Sequence, residues 1–348
     1  MAAAAHNTQY LATVGVFVIS GLLLQRREAA AAVRCVPALA YGLLAILLLT
    51  PLLSLGVLRL PIQPPEVALG LAVFCCMPTT LSTGVALTQA CAGNSAVALL
   101  LTVTSNLLSV FTIPVALSFV LGVGAGVANF SPVALFKSLL LTVLAPLLAG
   151  VAVQASVPGV AMWCQGNRKR LAHISALCMC LVPWMQVSQA SSSRLPFPPS
   201  SLLAAGLAGA GLHVVFLLVN LAATHPLRFD SDPQQGERGG CRVLLCGGVG
   251  ALLFHIHVSY VCAARAERRA FASPRPADLA IRKAVLLCSS EKTLQIAAAV
   301  LSQLSGVLGA GVGYAVIPCV LAHLIQIIMD SWLVSWWNST PRWRAAPA

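Results

Sequence analysis

Nine apolar stretches of roughly 17–25 residues, separated by short polar or basic connections, constrain this chain more than any single motif in it. They run at about 9–24, 36–57, 67–91, 95–121, 132–153, 171–187, 201–224, 280–303 and 312–336. As helices, segments of that length match the hydrocarbon thickness of a bilayer. Inside hydrocarbon every backbone N–H and C=O must find its partner within the chain, which leaves helices or closed barrels. The stretches lack the apolar–polar alternation of a barrel strand. The expected fold class is therefore an all-α polytopic membrane protein. Composition agrees: 58% of the residues are hydrophobic and only 9% charged, where a soluble domain carries about 25% charged residues.

The net charge of +12 does not imply a nucleic-acid partner, because the basic residues sit in the connections between spans. If the connections alternate sides and 243–261 does not cross, 17 of the 21 basic residues fall on one side of the membrane. That asymmetry is the positive-inside pattern. It makes 228–278 an irregular basic insertion that does not span. Residues 1–336 then read as one transmembrane domain and 337–348 as a disordered tail. Met1–His6 lacks the basic region of a secretory signal. The 12 cysteines lie mostly within spans without zinc-type spacing, so they read as small packing residues.

Two spans are interrupted. In 67–91 the run Cys76-Met-Pro-Thr-Thr-Leu-Ser-Thr-Gly84 sets a proline beside four hydroxyls. In 280–303 the run Cys288-Ser-Ser-Glu-Lys-Thr-Leu-Gln295 places an acid and a base at mid-span. Ionisable groups at that depth are costly and mark ion or substrate paths. A broken helix frees carbonyls for a cation and N–H groups for an anion, and paired breaks point to a transporter with a midplane site. The bland alternatives are a proline kink capped by hydroxyls and a structural Glu291–Lys292 salt bridge. Thr102, Ser105, Asn106 and Ser109 share one helical face, as do His323, Gln326 and Asp330. Each face reads equally well as interhelical glue or as a cavity wall. His213, His255 and His257 read as structural.

Phe74–Thr88, Gly93-Asn94, Thr102–Leu107, Leu181–Ser188, Ser289–Leu294 and Pro318–Gln326 together resemble the bile acid:sodium symporter family, in its plant plastid sodium/metabolite cotransporter branch. The resemblance covers residues 9 to about 336 apart from 228–278. It implies inverted five-helix repeats and a core domain in which two broken helices cross, packed on a panel domain. It also implies that the first span here corresponds to the family's second, so that one helix and a transit peptide precede it, and that the membrane is the chloroplast envelope. By resemblance, sodium ligands fall on Glu291, Gln295, Ser82, Thr83 and Thr102, with Ala98 where relatives carry a hydroxyl. Lys292 puts an ammonium where it could replace one sodium. Thr79, Thr80, Asn106, Ser290, Thr293, Gln326 and His323 are the candidate lining of the substrate cavity.

The expected function is sodium-coupled symport of a small organic anion, with a proton carried by Glu291 as the alternative coupling ion. A membrane protein that binds a ligand without transporting it is the reading from another class. An intramembrane enzyme is disfavoured, since the chain has no Gly-x-Ser-x-Gly and no His-Glu-x-x-His. The expected partners are the anion and membrane lipid, with no nucleic acid, no cofactor, and no metal beyond the coupling sodium.

Overall fold

The computed structural model describes residues 2–23, 35–80, 82–124, 131–157, 159–192, 198–225, 276–304 and 308–340. Among them there is no strand, and the chain is an all-α polytopic membrane protein. The helices are α1 (Ala2–Leu23), α2 (Val36–Val57), α3 (Pro65–Cys75), α4 (Thr83–Ala90), α5 (Ser95–Gly124) and α6 (Pro132–Ser156). They continue with α7 (Val160–Gly166), α8 (Arg168–Ser192), α9 (Pro199–Thr224), α10 (Pro276–Ser290), α11 (Leu294–Gln303) and α12 (Val312–Ser339).

Among the described residues six segments are long and apolar enough to cross a bilayer: α2, α9, α12, Ser95–Gly122 of α5, Pro132–Ser156, and Asp278–Gln303, which takes in α11 and most of α10. The third sequence stretch divides into α3 and α4 at Cys76–Ser82, and neither half is long enough to cross alone. Of the expected insertion, residues 228–275 lie outside the described residues, and 276–278 open α10. The last helix runs to Ser339, and Trp337 is buried, so the tail expected from 337 is still helix there. Trp332 and Trp336 are exposed, as an aromatic belt requires, whereas Trp337 turns inward over Lys283.

The helices form two packing groups. α1 lies against α6 and α8, with the short α7 at their end. α2, α3, α4, α5, α9, α10, α11 and α12 form the second group, joined to the first through α5–α6, α8–α11 and α8–α12. Small residues set the closest approaches. A Cβ on Gly21 would lie 2.3 Å from Leu147 O, and one on Gly150 2.3 Å from Val18 O, so α1 and α6 touch backbone to backbone. Gly70 of α3 meets Ala315 of α12 in the same way.

Burial identifies the centre. An 18-residue window within Asp278–Gln303 is 94% buried, against 22–50% for the corresponding windows of the other five crossing segments. Those five present apolar side chains outward, among them Val115, Leu203 and Ile328. Every residue from Val67 to Cys75 of α3 is buried, so α3 and α10–α11 are wrapped by other helices rather than by lipid.

Candidate functional site

At the centre the two breaks meet. The N–H of Thr293 donates to the carbonyl of Pro78 at 2.9 Å, so each interruption supplies a backbone partner for the other. The remaining freed groups are satisfied with similar economy. Glu291 N–H still bonds to Leu287 O at 3.0 Å, closing the last turn of α10. The next peptide group is taken by α12. Lys292 N–H donates to Gln326 Oε1 at 3.1 Å, and Gln326 Nε2 donates back to Lys292 O at 2.7 Å. His323 Nδ1 lies 3.2 Å from the same carbonyl. In the first break Thr79 O accepts from Asn106 Nδ2 of α5 at 3.1 Å. Unsatisfied backbone polar groups at this depth would cost several kcal/mol each, so these side chains are what permits the interruption.

The two adjacent charges part company. Glu291 turns to the first break: Thr80 donates to its Oε2, and Thr83 Oγ1 lies 2.9 Å from the same oxygen. Thr80 Oγ1 also accepts from the N–H of Gly84 at 3.1 Å, which ties the carboxylate to the first turn of α4, where the helix dipole favours negative charge. A Cβ on Gly84 would sit 3.1 Å from Glu291 Oε2, so the close approach depends on glycine. Lys292 turns the other way, toward α2, and the described residues contain no Glu291–Lys292 ion pair. The structural salt bridge weighed from sequence is therefore not formed.

The structure brings together Thr80, Thr83 and Glu291, with Thr79, Thr102 and Asn106 on the flanking elements, all buried except Thr83, which is partly so. Glu291 Oε1, Thr79 Oγ1, Thr102 Oγ1 and Asn106 Oδ1 are buried oxygens with no hydrogen-bond partner. Ser82 is exposed at the N-cap of α4 without a capping bond. Gln295 is buried, and its Oε1 accepts from Thr293 Oγ1 at 2.5 Å. Ser290 Oγ accepts from Asn220 Nδ2 at 3.1 Å. Gln326 and His323, expected to line a cavity, both reach the Lys292 peptide, and Gln326 also borders a small pocket beside Phe74, His213 and Phe216. Replacing Gln326 with leucine strands that peptide's N–H and leaves its carbonyl with His323 alone. The expected cost is about 3 kcal/mol, read as a lowered melting temperature of the purified protein in detergent.

Other partnerships escaped sequence reading. Tyr41 of α2 donates to Asn220 Oδ1 at 2.8 Å, linking α2, α9 and Ser290. His213 Nε2 lies 2.9 Å from Asp330 Oδ1, both side chains buried, so Asp330 belongs to the interior and not to a membrane interface. The signals were isolated polar residues in apolar runs, Asn220 in α9 and Thr50-Pro51 in α2. A small pocket lies between the two packing groups, bounded by Tyr10, Thr13, Ser138, Thr142, Ser302 and Gln303.

Two helix breaks that meet at a buried carboxylate, inside a shell of helices with apolar outer faces, point to a membrane transporter. The chain belongs to the SBF-like CPA transporter family, whose match runs through residues 1–339. It is similar to a protein of Oryza sativa subsp. japonica named Probable sodium/metabolite cotransporter BASS4, chloroplastic, with 39% identity over 326 residues, 94% of this chain and 68% of that one. The Arabidopsis thaliana protein of the same name is 39% identical over 327 residues, 94% of this chain and 65% of its own length. This chain thus spans about two thirds of the relatives it matches. It is a multi-pass membrane transporter, and the names of both relatives call them chloroplastic.

Proposed function

We propose that this chain is a secondary active symporter that couples sodium movement to that of a small organic anion by alternating access. One observation carries the reading: Glu291 is fully buried at the crossing, with Oε2 held by hydroxyls of the opposite arm and Oε1 without a partner. Buried polar atoms without partners are rare in native proteins. A carboxylate and neighbouring hydroxyl or amide oxygens are the donor chemistry of a hard cation. Thr79, Thr102 and Asn106 supply further unpartnered oxygens, and Thr83, Ser82 and Gln295 complete the candidate set. The first turns of α4 and α11 open at the crossing, and their positive ends favour an anionic substrate beside the cation. The two packing groups supply the bodies whose relative motion would open the site to either side. The relatives' names, which read sodium/metabolite cotransporter, agree with this chemistry.

Proton coupling is the second reading. It is favoured by the buried His213–Asp330 pair, which sets a second carboxylate in the interior, on α12. Uptake of labelled mono- and dicarboxylates into proteoliposomes separates the two. Accumulation above equilibrium is expected with an imposed sodium gradient at equal pH, and its loss on collapsing that gradient. Accumulation driven by a pH gradient without sodium transfers the role to the proton. Uptake that never exceeds equilibrium under either gradient refutes coupled symport.

A further inference from the structure

Lys292 is fully buried, yet its ammonium makes no ion pair among the described residues. Its three hydrogen bonds go to oxygens of two other elements: Ile46 O at 3.1 Å, Thr50 Oγ1 at 2.5 Å and Met77 O at 2.8 Å. The ring of Phe216 lies on another side, 5.8 Å from Nζ to its centroid. Each acceptor is free for a reason written in the sequence. Residues 45–49 of α2 form a π turn, and Thr50 N–H bonds to Ala45 O. In that frame Ile46 O would next accept from residue 51, which is proline and has no N–H. Thr50 Oγ1 donates its proton to Ile46 O at 2.9 Å, so only its lone pairs remain for Nζ. Met77 lies past the end of α3, where carbonyls lose their intrahelical donors. Three acceptors and no donor require three N–H bonds, which an ammonium has and a neutral amine does not.

We propose that Ile46 O, Thr50 Oγ1 and Met77 O form a monovalent-cation site that the chain occupies permanently with its own ammonium, Lys292. Two peptide carbonyls, a hydroxyl and an aromatic face are the surroundings of a desolvated monovalent cation. Because the occupant is covalently attached to the second break, it is not exchanged. It locks α2 and the first break to the second, and holds one positive charge at the crossing throughout the cycle. The inference rests on this geometry, not on which ion drives transport.

Lys292→Ala empties the site while leaving its oxygens in place. In detergent, the purified variant is expected to melt well below the parent chain. Ammonium or methylammonium chloride should raise its melting temperature saturably by roughly 3 °C or more, with choline chloride inert. The parent chain should not respond to ammonium, and adding Thr50→Val to the variant should abolish the rescue. A Lys292→Ala variant as indifferent to ammonium and methylammonium as its parent overturns the proposal, as does a rescue that survives Thr50→Val. If Lys292→Ala yields no monodisperse protein in any of these salts, the decision falls to Thr50→Val and Thr50→Ser in the chain that keeps Lys292. Val should destabilise and Ser should not, and equal melting of the two overturns the proposal. Melting needs no substrate or gradient, so failure here is distinguishable from failure of the symport reading.

Discussion

Glu291→Gln is expected to lower gradient-driven accumulation tenfold or more while leaving the protein folded. The amide keeps the shape of the side chain, and its oxygen can still accept from Thr80 and Thr83. What disappears is the charge on a carboxylate whose Oε1 has no protein partner. A cation that loses a charged ligand for a neutral one loses interactions of about 1.5–3 kcal/mol, more than a factor of ten in affinity. Proteoliposome uptake under an imposed sodium gradient, with size-exclusion profiles matched to the parent, reads the effect. Undiminished accumulation by the folded variant would place the coupling ion elsewhere. Because the carboxylate bridges both arms of the crossing, Thr80→Val and Thr83→Val should lie between the parent and Glu291→Gln.

Gly70→Val is expected to have the largest effect on stability. A Cβ at Gly70 would sit 2.0 Å from Ala315 O and 2.8 Å from Ala315 Cα, which is backbone and cannot rotate away. The carbonyl of Gly70 also accepts from Cys319 Sγ at 3.2 Å, so the same spot is held from both directions. α3 is buried from Val67 to its end at Cys75, and moving it would shift Met77 and the first break with it. The expected loss exceeds about 3 kcal/mol, the range of severe overpacking, and should appear as aggregation on solubilisation or a large drop in melting temperature. Gly56 is the control. No atom lies within 4 Å of a Cβ there, so Gly56→Ala should be neutral or slightly stabilising.

Much of this architecture is legible without coordinates. Apolar length gave the helices, since a bilayer demands that length and internal hydrogen bonding. Pro78 with its hydroxyl neighbours and Glu291 with Lys292 marked both interruptions, because polar and ionisable residues are not kept in hydrocarbon without a partner. Thr80 and Thr83 were legible as candidates, and the structure sets both on the carboxylate. The roles of His323 and Gln326 were not. Their helical spacing says that they share a face, but not that the face meets the peptide of Lys292. His213 and Asp330 are 117 residues apart, and nothing local links them.

By itself the sequence determined that this is a helical membrane protein, where its helices break, and which charges sit at the breaks. These follow from local quantities: hydropathy, the missing N–H of proline, and the cost of a charge in hydrocarbon. Only the tertiary structure decided which way each charge points. Glu291 and Lys292 are neighbours in the chain, but the break rotates them apart, one to the threonines after Pro78 and the other to oxygens of α2 and Met77. That choice depends on carbonyls freed far away in sequence, at Pro51 and at the end of α3, and such long-range pairing is set by packing rather than by any local pattern.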